Sequence, residues 1–282
     1  ALSLTDITYA RRSGNKITGR VGVQWDADLF DQDITLRTAA YTGWRLPTLN
    51  ELYRPFRLGA DALAANPALK PEGLRGAEIG MRWGRKGKRL DTGRFLDVTA
   101  FRNRLTDPIA NVTLASGPGV FPGVGFVAAG GAYRQRVNLR ALDTRGVEVQ
   151  AGLPLGPIDF EAAYSLVDAR MRGGGLDGLR PAQVPKHSAS LTAAWRPDGY
   201  QGLSATLRYS GRVFEDDLNR QLLDDAVTLD LHAMIRVKRG LQLFGRAENL
   251  FNARTEASIS SSGIIERASP RTLWLGLRYA LD

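Results

Sequence analysis

Cysteine is absent from the 282 residues, and histidine occurs only twice, as His187 and His232. Without cysteine the chain forms no disulfide and offers no thiolate for catalysis or for zinc. The two histidines are far apart, and neither stands in a spaced ligand pair, so we expect no metal site and no cofactor. Neither belongs to a nucleophile motif of the Ser/His/Asp type, so we expect no enzymatic activity.

The chain also lacks an unbroken run of about 18 apolar residues, which a membrane-spanning helix requires. Residues 1–16 lack the apolar stretch of a signal peptide. A membrane-spanning β-strand needs only about 9–11 residues, of which every second one is apolar. The lack of long apolar runs therefore excludes a helical membrane protein and leaves a strand-built one open.

Acidic residues are fewer than basic ones, with 29 Asp and Glu against 38 Lys and Arg and a formal net charge of +9. Such an excess is typical of proteins that bind anions, including nucleic acids. The basic residues are spread along the chain, however, and their densest run, RKGKR at 85–89, is short. No helix-turn-helix, zinc-finger or RNA-binding motif accompanies them, so we expect no nucleic-acid partner.

The dominant pattern of the sequence is a period of two. In residues 227–237, VTLDLHAMIRV, the apolar residues at odd-numbered positions alternate with Thr228, Asp230, His232, Met234 and Arg236. Successive side chains of a strand point to opposite faces, so this pattern predicts strands with one apolar and one polar face. Strict or weaker alternation occurs in 17–26, 33–44, 73–84, 92–104, 145–153, 157–168, 187–196, 203–210, 227–237, 241–250 and 272–281, with a partial strand near 3–10.

Two folds fit such strands. A soluble lectin-like sandwich or small barrel would bury the apolar faces, whereas a transmembrane barrel turns them toward lipid and its polar faces toward a wet lumen. The strands are about ten residues long, against about 5–6 in globular sheets. Aromatic residues near strand ends are typical of an interfacial girdle; they are Trp25, Trp44, Trp83, Trp195, Tyr209 and Tyr279. We therefore expect an all-β, antiparallel, up-and-down transmembrane β-barrel, of which the chain supplies about 11–12 strands.

The connections between these strands alternate in length, as in a barrel with short turns at one rim and long loops at the other. We expect the short turns to be periplasmic; they are 27–32, 85–91, 154–156, 197–202 and 238–240. We expect the long loops to be extracellular; they are 45–72, 105–144, 169–186, 213–226 and 251–271.

Polar residues that alternate with apolar ones in a strand point to the face opposite the apolar one. The polar face of a transmembrane strand points into the lumen of the barrel. The residues that we expect to face the lumen are Arg20, Arg196, Arg208, Asp230, His232, Arg236 and Arg278.

Three motifs occur in a fixed order. Segment 43–80 carries Arg-x-Pro-x-x-x-Glu-Leu-Tyr, then Asn-Pro-x-Leu-x-Pro-Glu, then Glu-x-Gly; segment 247–252 reads AENLFN; and segment 270–279 reads PRTLWLGLRY. In this order and spacing they resemble the barrels of TonB-dependent outer-membrane receptors. The motif residues, interpreted as structural or gating, are Arg45, Pro47, Glu51, Leu52, Tyr53, Asn66, Pro67, Pro71, Glu72, Glu78, Gly80, Glu248, Asn249, Leu250 and Phe251.

Part of the role of these residues follows from their chemistry. Proline donates no hydrogen bond to a strand ladder, so the motif prolines mark 45–72 as a structured loop. Glu72 and Glu78 lie near Arg75 and Arg82 in the sequence. We therefore expect ion pairs between these acidic and basic side chains on the lumen side.

The resemblance implies active uptake of a scarce nutrient, such as an iron–siderophore chelate or cobalamin, across the outer membrane of a Gram-negative bacterium. The implied partners are outer-membrane lipid, a small-molecule or metal-chelate ligand at the extracellular loops, and the inner-membrane TonB complex, which an N-terminal part outside this sequence would contact. The alternative is a passive porin-like channel, which would share the strand pattern but should lack the three motifs.

Residues 1–282 are interpreted as one domain, the C-terminal portion of a receptor barrel without its plug domain. The resemblance implies that about half the strands of such a barrel are present. Barrel diameter grows with strand number, so we expect an open, curved sheet with edges near 1–10 and 272–281 rather than a narrower closed barrel. We expect no transport by this piece alone.

Overall fold

The computed structural model describes residues 12–29, 32–85, 93–197, 202–238, 240–260 and 263–279. Strands predominate among these residues, and no helix among them is long and apolar enough to cross a membrane. In chain order the elements are β1 (Gly19–Leu29), β2 (Gln32–Arg45), α1 (Leu49–Tyr53), β3 (Phe56–Leu58), β4 (Asp61–Ala64), β5 (Glu72–Arg85), β6 (Arg94–Thr106), β7 (Ile109–Ser116), β8 (Gly119–Phe121), β9 (Gly125–Val127), β10 (Ala132–Asn138), β11 (Ala141–Leu155), β12 (Ile158–Arg172), β13 (His187–Trp195), β14 (Gly202–Ser210), β15 (Val213–Phe214), β16 (Leu222–Leu223), β17 (Ala226–Lys238), β18 (Leu241–Glu248), β19 (Glu256–Ile259), β20 (Ile265–Arg267) and β21 (Thr272–Tyr279).

Eleven long strands form a single antiparallel sheet in the order β1, β2, β5, β6, β11, β12, β13, β14, β17, β18 and β21. Each long strand pairs with the next one along the chain, as in an up-and-down barrel. All eleven predicted strands between 17 and 281 are present, which confirms the fold class. The partial strand expected near 3–10 lies outside the described residues, as do parts of four of the short turns.

The barrel is not closed. Within the described ranges, β1 and β21 are the two ends of the sheet and do not pair with each other. This confirms the expected open sheet over the described strands, although the segment near 3–10 is not among them.

The strand register places the apolar residues of neighbouring strands on one face. Leu207 of β14 is opposite Leu229 of β17, while Leu243 of β18 is opposite Leu277 of β21. These side chains do not pack into a sealed core: Leu207 is 44% exposed and Leu277 is 70% exposed. A continuous exposed apolar face of this size is typical of a surface that meets lipid or another protein. We call it the apolar face and its opposite the polar face.

The buried hydrophobic clusters lie where the long loops come together. A small sheet joins β3, β4, β10 and β7, and Ala62, Ala64, Val127 and Tyr133 form a buried cluster beside it. A second cluster contains Val112, Leu139, Met171 and Leu176. The segments predicted as long loops are therefore folded structures with their own packing.

Candidate functional site

The helix α1 stands at the start of the first motif. Thr48 caps it: its hydroxyl accepts from the Glu51 amide at 3.2 Å, and the Glu51 carboxylate accepts from the Thr48 amide at 2.6 Å. Two guanidinium nitrogens of Arg45 donate to the same carboxylate at 2.9 and 3.1 Å. Burial alone would raise the pKa of Glu51, but the hydrogen bonds from Arg45 and Thr48 outweigh burial and lower this pKa below its ordinary value.

Glu72 joins three parts of the chain. Its carboxylate accepts from Nε of Arg45 at 2.5 Å and from the amide of Ile109 at 2.7 Å. Glu72 is only 7% exposed, so both donors are matched to a buried charge. The end of β2, the start of β5 and the start of β7 are thereby fixed to one side chain.

The second part of the motif is held by hydrogen bonds to β10. The Asn66 side-chain amide donates to the Arg136 carbonyl at 2.9 Å, and Arg136 donates to the Asn50 and Arg54 carbonyls at 2.9 and 3.0 Å. Leu69 lies between the motif prolines and is fully buried. Pro47, Leu52, Tyr53, Pro67 and Pro71 belong to this same folded segment.

Glu78 and Gly80 lie on the polar face of β5. Glu78 accepts from Arg20 of β1 at 2.8 Å. A side chain at Gly80 would come within 2.8 Å of Nε of Arg37. The missing side chain leaves room for Arg37, which crosses over Gly80 to form an ion pair with Asp97.

The prediction that Glu72 and Glu78 form ion pairs with Arg75 and Arg82 is wrong about the partners. Glu72 binds Arg45 rather than Arg75, and Glu78 binds Arg20. The register places Arg75 opposite Thr42, on the apolar face, where it cannot reach a polar-face carboxylate. Arg82 is on the polar face, but its ion-pair partner is Asp97 at 3.7 Å.

The AENLFN motif closes β18 with a turn. Asn249 has a positive φ of 48°, and its side chain both accepts from the Ala253 amide at 2.8 Å and donates to the Ala253 carbonyl at 2.9 Å. Its own amide donates to Asp230 at 2.9 Å, and the Leu250 amide donates to the Leu229 carbonyl at 2.8 Å. Glu248 pairs with Arg246 at 2.5 Å, whereas Phe251 is 76% exposed.

The seven residues assigned to the lumen by parity are spread over the sheet and form no single cluster. Arg208 and Asp230 form an ion pair at 3.1 Å, and Arg196 lies 3.8 Å from Asp159. Arg20 and Arg278 stand at opposite ends of the sheet, and His232 and Arg236 are in register with Arg246 and Gln242. That this shared face lines a lumen stays a prediction.

A concave region on the polar face has a cavity volume of about 560 Å³. Register places Glu148, Ser165, Ser188 and Ser210 in one row across four strands. Arg208, from the adjacent row, also lines the cavity. The sequence prediction missed the serines, because their small side chains are informative only once the register places them side by side. Within the described residues, no group of three or more His, Cys, Asp or Glu side chains could hold a metal ion.

The match to known proteins agrees with this architecture. The sequence model of the family described as "TonB dependent receptor-like, beta-barrel" matches residues 2–250. This chain belongs to that family. It is a family of receptors and transporters rather than of enzymes, and the porin-like alternative is not favoured.

Two vitamin B12 transporters, both named BtuB, are similar to this receptor chain. The protein of Vibrio vulnificus is 27% identical over 222 residues, covering 79% of this chain and 31% of that protein. The protein of Photobacterium profundum is 25% identical over 222 residues, with coverages of 78% and 32%. The receptor chain therefore spans about a third of the length of these curated relatives.

The fold is shared with solved receptor structures. A crystal structure of a mutant of the ferric enterobactin receptor from Pseudomonas aeruginosa matches with a TM-score of 0.67 and 19% identity, covering 93% of this chain and 40% of that chain. At this identity the likeness concerns the fold alone.

In this receptor barrel, three of the long loops are tied together. Asp217 accepts from the amide and hydroxyl of Thr113 at 2.9 and 2.7 Å. The Asn219 side chain bonds the Arg180 backbone twice, at 2.8 Å each. Burial raises the pKa of the nearby Glu215 carboxyl, against a hydrogen bond from Gln183. The loops thus form a packed structure above the sheet, and their arrangement does not depend on the strands alone.

Proposed function

We propose that this chain is part of the barrel of an outer-membrane receptor that takes up a scarce nutrient by TonB-driven active transport. The observation that carries the proposal is the sheet itself, eleven antiparallel strands with an exposed apolar face and a charged polar face. In lipid, strands must pair all their backbone groups, so such a sheet belongs in a barrel. The family membership supports the same function.

The apolar face meets outer-membrane lipid in this proposal, and the polar face, with Arg20, Arg208 and Asp230, lines the lumen. The cell is a Gram-negative bacterium. The TonB complex is contacted by a part of the receptor outside this sequence, and the barrel itself carries out no enzymatic reaction. The motif residues around Arg45 and Glu72 hold the first long loop against the sheet and the neighbouring loop.

The proposed ligand is an iron–siderophore chelate or cobalamin. The names of the relatives, vitamin B12 transporter and ferric enterobactin receptor, support these two classes. The concave region beside Arg208 offers serine hydroxyls and a cation within a cavity of about 560 Å³. The chain carries 38 Lys and Arg against 29 Asp and Glu, a formal net charge of +9, and such a basic excess favours an anionic ligand. Of the two classes, this favours a chelate with net negative charge.

The test is uptake by cells whose own receptors for these nutrients have been deleted. The complete receptor that contains this chain is expressed, and accumulation of radiolabelled cobalamin and of ferric siderophores is measured with and without TonB. We expect accumulation of one ligand class that disappears without TonB. Uptake that is independent of TonB would instead support a passive channel and contradict the proposal.

A control variant separates ligand recognition from assembly of the barrel. Arg208→Gln removes a cation from the concave region, and Arg212→Gln removes an exposed loop cation paired with Asp224 and Asp225. We expect Arg208→Gln to lower uptake at limiting ligand and Arg212→Gln to leave it unchanged, with equal amounts of both variants in the membrane.

A further inference from the structure

Four neighbouring strands carry charged residues on their apolar face. Near the long loops, the apolar rows of β5, β6, β11 and β12 give way to rows in which arginine predominates. The last apolar row holds Ile79, Ala100, Val147 and Leu166; the next holds Ala77, Arg102, Arg145 and Asp168; the one above holds Arg75, Arg104, Asp143 and Arg170. Together with Arg172, the charged members of these rows form what we call the outer arginine patch.

The patch is strongly cationic, because six arginines stand against two aspartates. Asp143 pairs with Arg104 at 3.1 Å and with Arg172 at 3.3 Å. Asp168 pairs with Arg145 at 3.2 Å and with Arg170 at 3.0 Å. Each carboxylate thus positions two guanidinium groups, and the patch keeps a net charge of about +4.

Most hydrogen-bond donors of the patch remain available. A guanidinium has five N–H groups, of which these ion pairs use few. No ion pair among the described residues includes Arg75 or Arg102, and the Arg145 side chain is 77% exposed. Four of the six arginines line a depression of about 250 Å³ together with both aspartates. The N–H donors of these arginines therefore surround a depression that is large enough to hold an anionic group.

The charge ends at β5 on the side of β1 and β2. In the same two rows, β1 and β2 place Gly19, Thr42, Val21 and Ala40. A rim that merely faces water would have no reason to concentrate arginine on four adjacent strands. The concentration of arginine on these four strands therefore indicates a local partner.

The position of the patch along the membrane normal indicates the chemistry of that partner. On β11 the apolar-face residues from Val147 to Leu155 cover eight residue steps, about 26 Å along the strand. With the usual strand tilt this is about 20 Å across the membrane, close to the apolar band of about 25 Å of such barrels. Arg145 is the next residue on that face, so its guanidinium lies at the level of the lipid headgroups, where basic clusters bind anionic lipid.

We propose that the outer arginine patch binds the phosphate groups of an anionic lipid headgroup in the outer leaflet. The proposal rests on the outer-membrane placement given under the proposed function. Arginine matches phosphate oxygens with paired N–H donors. The arginine side chains of these ion pairs are 40–77% exposed, and ion pairs that water screens in this way are individually weak. A phosphate can therefore share the guanidinium groups with the carboxylates without a large cost.

The test uses the complete receptor, purified in detergent and freed of lipid. Binding is measured by native mass spectrometry with three probes: bisphosphorylated lipid A, the same lipid without phosphates, and inorganic phosphate. We expect the phosphorylated lipid to bind and the other two to bind at least tenfold more weakly. Equal binding of both lipids, or of inorganic phosphate and the phosphorylated lipid, would overturn the proposal.

Variants locate the site. We expect Arg102→Gln alone to weaken binding severalfold, and Arg102→Gln with Arg104→Gln and Arg145→Gln to weaken it at least tenfold. Arg94→Gln is the matched control, because Arg94 is on the same face of β6 at the opposite end. The single variant breaks no described ion pair and keeps the test valid if the triple variant fails to fold. Unchanged binding by Arg102→Gln, or equal loss with Arg94→Gln, would contradict the site.

Uptake is measured in the same variants to separate the two proposals. TonB-dependent uptake together with absent lipid binding would refute the patch and leave the proposed function intact. Lipid binding without any TonB-dependent uptake would do the opposite.

Discussion

Nε of Arg45 lies 2.5 Å from Oε2 of Glu72 and joins the end of β2 to the start of β5. The two residues are direct partners in the ladder between these strands, so the ion pair closes the base of the loop that begins after β2. This pair explains why the first motif has Arg45 at one end of the loop and Glu72 at the other, because the two residues must be partners in the ladder between β2 and β5.

Replacing Glu72 with Ala should loosen the base of that loop. The variant leaves the partly buried Ile109 amide without its acceptor and Arg45 with one carboxylate fewer. Losing hydrogen bonds to a buried charge costs about 2–3 kcal/mol. Hydrogen exchange at the Ile109 amide should therefore become about 30-fold faster or more. Glu266→Ala, which removes an exposed partner of Ser258, is the control and should leave this amide unchanged.

Glu215 should make its loop more stable in mild acid than at neutral pH. Its pKa is raised by burial, so its stabilising contribution is present below the ordinary glutamate pKa of about 4.3 and is lost as pH rises through the raised pKa. Glu215→Gln should slow exchange of the Gln183 amide, which donates to the Phe214 carbonyl, at pH 7 but not at pH 4. Equal effects at both pH values would contradict this reasoning.

The stabilising contribution of Glu51 should depend on pH in the opposite direction to that of Glu215. Its pKa is lowered, since hydrogen bonds from Arg45 and Thr48 outweigh burial. Its contribution is therefore present above the ordinary glutamate pKa and is lost as pH falls through the lowered pKa. Glu51→Gln should speed exchange of the Arg54 amide, which donates to the Asn50 carbonyl, at pH 7 and progressively less below pH 4. A pH-independent effect would assign the role of Glu51 to packing instead.

Leu229→Arg should destabilise the barrel far more than Thr206→Arg. Leu229 is on the apolar face opposite Leu207, and Thr206 is on the polar face opposite Asp230. An arginine facing lipid near the midplane costs about 2–4 kcal/mol, whereas one beside Asp230 finds a partner. Urea unfolding of the complete receptor from phospholipid vesicles measures both. Similar losses in the two variants would show that the faces are assigned the wrong way round.

The eleven strands were predictable because each one carries its own period-two pattern, which depends only on local sequence. The contacts of the candidate site were not. Arg45 and Glu72 are 27 positions apart, and only the pairing of β2 with β5 brings them together. The small sheet of β3, β4, β10 and β7 was missed for the same reason, since its short strands become recognisable only through partners from distant loops.

The outer arginine patch did leave a signal in the sequence. Arg102 and Arg145 occupy positions whose parity belongs to the apolar face, so they interrupt the alternation of β6 and β11. Such an interruption is ambiguous in one strand. The register makes it informative by aligning the interruptions of four strands side by side.

The last prediction concerns which loops are extracellular. It can be tested by cysteine labelling, because the chain has no cysteine of its own. Asp177 is exposed in the long loop after β12, and Pro157 is exposed in the short turn before it. Single cysteines are introduced as Asp177→Cys and Pro157→Cys in the complete receptor, with any other thiols removed. If long loops are extracellular, a bulky membrane-impermeant maleimide should label position 177 in intact cells, and position 157 only after the outer membrane is broken. The reverse pattern would invert the barrel and place the outer arginine patch at the periplasmic leaflet. The lipid assigned to that patch therefore depends on this labelling result as directly as the loops do.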